Sequence, residues 1–201
     1  SISALIAQEV LKDHPGETIV VDIRYTRNVV EAVKKNGGKS YISKVGHAFI
    51  TEDVNREGAY FAGESSGHFY FRETGGAESA VRVIIYILKA LSASGKTLSE
   101  LLSDLVSSHE SGERNFVLPD GTDSKALMES IVAEHEEAEL SRLDGIAIDY
   151  PEWRFSIRTS NTEPLLRLNV EAKTDELMEQ RFQELTDRII STGAKEKSSG
   201  N

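Results

Sequence analysis

The sequence predicts a mixed-sheet, three-layer α/β domain over residues 1–108, then a domain of antiparallel sheet and helices over residues 109–201. Segments with strand and helix periodicity alternate through the first half, as they do in sheets layered with helices. The polar stretch 107–112 interrupts this pattern and marks the boundary. Beyond it, strand segments with an apolar residue at every second position favour an antiparallel sheet covered by helices on one side.

In the first domain, each element follows from the spacing of its apolar residues. Leu5, Ile6 and Val10 recur at helical intervals, and the β-branched run 18–24 is typical of a buried strand. The predicted elements are a helix over 2–13, a strand over 18–24, a helix over 26–35, a strand over 40–43, a helix from His47, strands over 59–62 and 69–72, a helix over 77–93, and a short helix after the capping box Thr97-Leu98-Ser99-Glu100.

The helix over 77–93 is expected to be well buried, because its apolar residues form a broad stripe. The stripe consists of Val81, Ile84, Ile85, Leu88 and Leu91, and it is widened by Val83 and Ile87.

The second domain is predicted mainly from alternation. Trp153, Phe155 and Ile157 alternate with Arg154 and Ser156, which predicts a strand with one buried and one solvated face. The predicted elements are strands over 115–118, 145–149, 153–158 and 165–172, and helices over 123–137 and 175–190. The tail 195–201 is expected to be disordered.

Composition limits the function. The net charge of −10 disfavours nucleic-acid binding, which depends on Lys and Arg neutralising phosphates. No apolar run approaches the length of a membrane span, so no membrane association is expected. The absence of cysteine excludes thiolate chemistry and suits a reducing compartment, and we expect a cytoplasmic protein.

Two loops carry residues suited to a phosphorylated sugar. Gly-Glu-Ser-Ser-Gly-His at 63–68 offers a carboxylate and a hydroxyl that match a vicinal pair of sugar hydroxyls. The alternative is a polar turn whose serines bond the backbone. Arg-Thr-Ser-Asn-Thr-Glu-Pro at 158–164, with Arg167 beyond it, offers a guanidinium fork and small donors for a phosphate. The alternative is a hairpin turn with arginines that serve solubility.

Two further positions are candidates. His47 follows Gly46 at a predicted helix N-terminus, where anions bind favourably, although a lone histidine is more often structural. Arg24 ends a predicted parallel strand, the place where α/β sheets bind their ligands, although such a residue is more often a strand-end charge that reaches solvent.

Together these segments resemble the α-D-phosphohexomutase family, of phosphomannomutase/phosphoglucomutase type, over nearly the whole chain. The loop at 63–68 resembles the family's sugar-binding loop, and the loop at 158–164 resembles its phosphate-binding loop. Gly46-His47 lies upstream of the sugar loop as in the family, and Arg24 falls where the family carries a basic ligand contact.

The resemblance implies an isomerase that acts as an intramolecular phosphotransferase. It would interconvert hexose 1-phosphate and hexose 6-phosphate through a phosphoserine and a bisphosphorylated sugar. This chain would be the third and fourth of four domains, the fourth with a TATA-binding-protein-like fold. The implied sugar-binding residues are Glu64, Ser66, His68, His47 and Arg24. The implied phosphate-binding residues are Arg158, Ser160, Asn161, Thr162 and Arg167.

The chemical centre of such an enzyme is missing from this sequence. Neither a Ser-His-Asn-Pro-type phosphoserine loop nor an Asp-Gly-Asp-x-Asp-Arg metal loop occurs in it. Asp-Gly-Thr-Asp at 120–123 is better interpreted as a turn and helix cap. We therefore expect no catalytic or metal-binding residue here, with Mg²⁺ bound outside this chain by the missing N-terminal domains. The sequence starts at Ser1, directly before a predicted helix and without an initiator methionine, so we expect it to be a piece of a longer protein. The chain is expected to be inactive alone.

Two other hypotheses remain open. A phosphoglucosamine mutase would carry a similar sugar loop, so mannose, glucose and glucosamine phosphates are all candidate ligands. A stand-alone module that binds phosphosugars without chemistry is the second alternative.

Overall fold

The computed structural model describes residues 1–160, 163 and 165–197. The chain divides into two compact units, Ser1–Ser107 and Ser108–Asn201. None of the helices among the described residues is long and apolar enough to cross a membrane.

The first unit is built on a mixed sheet, as predicted. Its strands are β1 (Thr18–Asp22), β2 (Lys39–Ser43), β3 (Phe61–Gly63) and β4 (Phe69–Phe71). They lie in the order β2-β1-β3-β4, and β1 runs parallel to both its neighbours, whereas β4 is antiparallel to β3. The carboxyl ends of β1 and β3 therefore meet at one edge of the sheet.

Helices cover both faces of this sheet. They are α1 (Ile2–Asp13), α2 (Arg27–Lys35), α3 (His47–Arg56), α4 (Ala80–Ser94) and α5 (Leu98–Ser103). On β1, Ile19 and Val21 pack in one core with α1 and α2, whereas Val20 packs in another with Ile50 and Val54 of α3. Successive strand residues point to opposite faces, and this alternation produces the three layers.

The outward face of α4 contradicts the sequence-based expectation. Most of the predicted stripe is exposed: Val81, Ile84, Ile85 and Leu88 have relative exposures of 68, 56, 56 and 59%. The other predicted members, Leu91, Val83 and Ile87, are partly buried. Buried instead are Tyr86, whose ring stacks on Phe71 at 5.9 Å, and Ala90, whose small side chain packs beside Leu5 of α1. Because α4 is apolar on more than one side, periodicity alone did not identify the side that faces this unit's core.

The second unit is an antiparallel sheet with helices on one face, as predicted. Its strands are β5 (His109–Glu110), β6 (Arg114–Val117), β7 (Glu139–Ser141), β8 (Ile146–Asp149), β9 (Trp153–Thr159), β10 (Leu165–Ala172) and β11 (Lys195–Glu196). The order is β11-β6-β10-β9-β8-β7, with β5 also paired to β10. Helices α6 (Ser124–Ala133) and α7 (Asp175–Ile190) share one apolar core with Phe155 and Leu168.

Two local expectations for this unit are wrong. The polar side of β9 is buried rather than solvated, with Arg154 and Ser156 only 3 and 1% exposed. Burial of Arg154 is possible because Glu171, directly opposite it on β10, accepts from its guanidinium at 3.1 Å. Within the tail predicted to be disordered, Lys195 and Glu196 pair with β6.

Both predicted caps are present. The Thr97 hydroxyl accepts from the Glu100 N–H, and the Glu100 carboxylate accepts from the Thr97 N–H, which completes the capping box. Asp123 accepts from the backbone N–H groups of Lys125 and Ala126 and begins α6.

Gly145 provides a test of the packing around β9. Its φ is +71°, and a Cβ there would lie 2.2 Å from the Ile157 carbonyl oxygen. Gly145→Ala should lower the free energy of unfolding by about 3 kcal/mol, because a left-handed residue and a backbone clash add together. Gly121→Ala, at φ +79° with open space around it, is the control and should cost about 1 kcal/mol. Urea unfolding followed by fluorescence of Trp153, the sole tryptophan, measures both; equal losses would refute the account.

Candidate functional site

The carboxyl end of β1 carries a fully buried carboxylate, Asp22. It accepts from the Arg24 backbone N–H at 2.8 Å, from Arg24 Nε at 3.0 Å and from Arg24 Nη2 at 2.9 Å. It also accepts from the Ser65 N–H at 2.5 Å and from the Ser65 hydroxyl at 3.2 Å. Asp22 therefore fixes both the Arg24 guanidinium and the loop that follows β3.

That loop is a tight connection between β3 and β4. The Glu64 N–H donates to the His68 carbonyl at 2.9 Å, and the Gly67 N–H donates to the Glu64 carbonyl at 3.0 Å. Gly67 has φ +90°, a conformation that glycine adopts without a steric penalty. The turn leaves the Glu64 and Ser66 side chains beside Arg24.

Glu64 is the centre of the resulting cluster. Its Oε2 accepts from Ser66 Oγ at 3.2 Å and from Arg24 Nη2 at 3.4 Å, while its Oε1 accepts from the Tyr70 hydroxyl at 2.6 Å. Arg24 Nη2 also donates to Ser66 Oγ at 3.2 Å. Burial, followed by the bond to Glu64, raises the pKa of Tyr70 well above its usual value, so this hydroxyl remains a donor.

The two predicted histidines meet at a carboxylate that the sequence analysis did not identify. Nδ1 of His47 lies 3.2 Å from Glu78 Oε1, and Nδ1 of His68 lies 3.0 Å from the same oxygen. An ionised carboxylate only accepts, so each Nδ1 carries the proton in this arrangement. Each Nε2 is then an acceptor in the neutral ring and a donor in the protonated ring. His47 also packs edge-on against Tyr70, with ring centroids 5.2 Å apart.

The bond from His68, reinforced by that from His47, holds the pKa of Glu78 below its ordinary value. A depressed carboxyl pKa means that the pairing stabilises the fold above the unfolded pKa, and that this stabilisation is lost as pH falls through the folded pKa. Because Glu78 and both imidazoles are largely exposed, the contribution to stability is small.

All five predicted sugar-binding residues are thus connected. Arg24 and Glu64 are buried, and the exposed Ser66 bonds to both. Tyr70 links Glu64 to the exposed His47, which shares the Glu78 carboxylate with His68. The arrangement combines carboxylate acceptors, hydroxyls and histidines, which can hydrogen-bond a polyhydroxyl ligand.

The second unit carries a cluster with a net positive charge. Arg158 on β9 and Arg167 on β10 are directly opposite each other in the antiparallel ladder. Glu113 Oε2 accepts from Arg158 Nη2 at 3.2 Å, and Glu113 Oε1 accepts from Arg167 Nη1 at 3.1 Å. Like charges opposed across strands are destabilising, and one carboxylate neutralises only half of the pair. These three side chains therefore carry one net positive charge.

Ser160 extends this cluster. Its hydroxyl accepts from Arg167 Nη2 at 3.3 Å, and its backbone N–H donates to the Leu165 carbonyl at 2.8 Å. Within the described part of the chain, Nε of Arg158 and Nε of Arg167 are buried and have no acceptor. Asn161 and Thr162, also predicted to bind phosphate, lie outside the described residues.

Sequence reasoning missed the carboxylates and the tyrosine that hold the predicted residues in place. Tyr70 belongs to an apolar strand and Glu78 falls in the first turn of the predicted helix over 77–93, so neither pattern indicated a site. Glu113 directly follows the polar stretch 107–112 that was interpreted as a boundary. The one available signal was Asp22, at the same strand end as Arg24.

The described residues do not fit a metal ion. No group of three or more His, Cys, Asp or Glu side chains among them is arranged to hold one.

The role of Asp22 as the counter-charge of Arg24 is tested by replacing it with its neutral isostere, asparagine. Asp22→Asn should destabilise the first unit by about 3 kcal/mol, because Arg24 would lose its buried counter-charge. Native-state hydrogen exchange should then speed up roughly a hundredfold at the β1 amides. The control is Asp104→Asn, whose carboxylate is 58% exposed and pairs with Lys96, and it should cost less than about 0.5 kcal/mol. Unchanged exchange in Asp22→Asn would contradict the assigned role.

Models of a single protein family match both units of the chain. Residues 1–109 match the model for phosphoglucomutase/phosphomannomutase alpha/beta/alpha domain III, and residues 113–188 match the model for the C-terminal domain of the same family.

Individual proteins agree. The chain is 41% identical over 193 residues to a phosphomannomutase of Methanocaldococcus jannaschii, a match that covers 96% of this chain and 42% of the relative. It is 42% identical over 189 residues to phosphohexose mutases of Xanthomonas campestris, a match that covers 92% of this chain and 42% of the relative. The structure also superposes on a crystal structure of a phosphoglucomutase/phosphomannomutase family protein from Burkholderia thailandensis, with a TM-score of 0.79 at 25% identity. The superposition covers 96% of this chain and 42% of the other.

The chain thus spans about two fifths of the length of these relatives. Because models of both domains match and the relatives are about 40% identical, the chain belongs to the phosphoglucomutase/phosphomannomutase family.

Proposed function

We propose that this chain is the C-terminal half of a phosphomannomutase/phosphoglucomutase that interconverts hexose 1-phosphate and hexose 6-phosphate. Residues 1–108 form its sugar-binding domain and residues 109–201 its phosphate-binding domain. The observation that carries the proposal is the opposed pair Arg158 and Arg167 on the single carboxylate Glu113. An uncompensated cation beside small donors suits a phosphate dianion.

The phosphate group is held by Arg158, Arg167, Ser160, Asn161 and Thr162. Their guanidinium forks and small polar side chains can converge on the three outer oxygens of a phosphate monoester. An incoming phosphate supplies the counter-charge that the cluster lacks, so binding also relieves the repulsion between the opposed arginines.

The sugar is held by Glu64, Ser66, Arg24, His47 and His68. The bonds from Tyr70, Ser66 and Arg24 occupy about three of the roughly four lone-pair directions of the Glu64 carboxylate. The remaining one can accept from one sugar hydroxyl, while Ser66 Oγ can accept from a neighbouring hydroxyl. This pairing favours a vicinal diol.

Binding of the non-reacting phosphate contributes to catalysis by positioning. Interactions remote from the reacting atoms can be used to orient the other end of the substrate. The phosphoserine, the bisphosphorylated sugar intermediate and the bound Mg²⁺ are assigned to the part of the enzyme outside this chain, and the chain alone is inactive. A cytoplasmic location completes the proposal.

Amide NMR titration tests the recognition roles. Glucose 1-phosphate, mannose 1-phosphate and glucosamine 1-phosphate should each shift amides near Glu64 and Arg158, and the tightest binder identifies the preferred sugar. Inorganic phosphate should shift only the residues near Arg158. Arg158→Lys or Arg167→Lys should weaken binding about tenfold, because lysine lacks the planar fork.

The control for this titration is Arg142→Lys, an exposed arginine of the same unit that pairs with Glu129. It should leave all affinities unchanged. Shifts that do not saturate, or that weaken equally in Arg142→Lys, would overturn the assignment.

A further inference from the structure

The proposed function makes no use of the exposed apolar face of α4. Val81, Ile84, Ile85 and Leu88 are spaced i, i+3, i+4 and i+7, so they form one stripe about 100° wide along the helix. Each is more than half exposed. Their combined exposed surface is on the order of 400 Å², within the range where patches on single chains are often functional.

The stripe is not needed to hold α4 on its own unit. The opposite side of the helix is already buried through Tyr86 and Ala90. Beside the stripe runs a groove of about 470 Å³, bordered by Val81 and Ile85 and by Asp13 of α1. The groove can receive an apolar side chain from a partner.

Charged residues at the edge of the stripe are already paired within the unit. Arg82 forms an ion pair with Glu73, and Lys89 forms one with Asp13. An apolar centre within a neutralised polar rim is the usual composition of a protein–protein interface. The partner surface should therefore be apolar rather than charged.

We infer that this stripe, with its groove, is the docking surface for the polypeptide that precedes residue 1 in the longer enzyme. The inference rests on the proposed function. The family numbers the first matched domain as III, and the chain spans only 42% of its M. jannaschii relative. Leu5, in the second turn of α1, packs in the same cluster as Ala90 of α4. A polypeptide that enters at Ser1 therefore arrives beside α4.

A second copy of the chain is the competing occupant, and its size argues against it. Two such stripes would bury roughly 800 Å² in total, below the roughly 1,200 Å² of standard stable interfaces. A tethered segment needs less area, because the linkage raises its effective concentration.

Thiol labelling tests the inference, since the chain contains no cysteine. Ile84→Cys is placed in the 201-residue chain and in the whole polypeptide encoded by its gene. N-ethylmaleimide labelling of each is followed by peptide mass spectrometry. Ile190→Cys, at a position 42% exposed on α7, is the control. In the 201-residue chain both sites should label at similar rates. In the whole polypeptide Ile84→Cys should label at least tenfold more slowly, with Ile190→Cys unchanged.

Equal labelling of Ile84→Cys in both proteins would overturn the inference. A second outcome would overturn the inference in favour of a second copy. In that outcome the labelling of Ile84→Cys already slows in the 201-residue chain as its concentration rises, and sedimentation shows a dimer. Mutase activity of the whole polypeptide is measured in parallel. Slowed labelling without activity would support the docking surface and reject the proposed function. Activity without slowed labelling would support the proposed function and reject the docking surface.

Discussion

The carboxylate of Asp22 is completely buried, so its charge must be matched by donors within the first unit. Those donors come from two places far apart in sequence: Arg24, just beyond β1, and Ser65, in the loop after β3. The parallel pairing of β1 with β3 brings these places together. One buried charge thereby fixes the position of an arginine that would otherwise sample many rotamers, and it restrains the loop that carries Glu64. The proposed sugar site is pre-organised by the same contacts that make the fold of this edge unique.

The second unit uses a carboxylate differently. Glu113 is shared by two arginines that the strand register places directly opposite each other, so a positive charge remains after pairing. A purely structural ladder would gain stability by replacing one of these arginines with a neutral residue. The surplus charge, on a protein whose net charge is −10, is what the proposed anionic ligand would neutralise. In the first unit a carboxylate secures the buried cation of Arg24. In the second unit one carboxylate faces two arginines, which leaves one positive charge for the proposed ligand.

Sequence patterns predicted most of the fold, because strand and helix periodicities were strong and caps such as Thr97 were unambiguous. The family resemblance, rather than these patterns, implied Arg24, Glu64, Ser66 and the two histidines, which the structure brings together. The predictions that failed concern features that tertiary contacts determine. Periodicity showed that α4 is apolar but not which side packs inward, and the burial of Arg154 required Glu171 on another strand. Glu78 and Glu113 were missed because a carboxylate that positions another residue resembles any other surface carboxylate in sequence.

The central claim is that this chain recognises a hexose phosphate but leaves the chemistry to the rest of a longer mutase. The most direct test is a ³¹P NMR assay, which resolves hexose 1-phosphate from hexose 6-phosphate. It is run with the 201-residue chain and with the whole polypeptide encoded by its gene, each supplied with Mg²⁺ and glucose 1,6-bisphosphate. We expect conversion by the whole polypeptide and none by the chain alone. Conversion by the chain alone, or its absence from the whole polypeptide, would contradict the account.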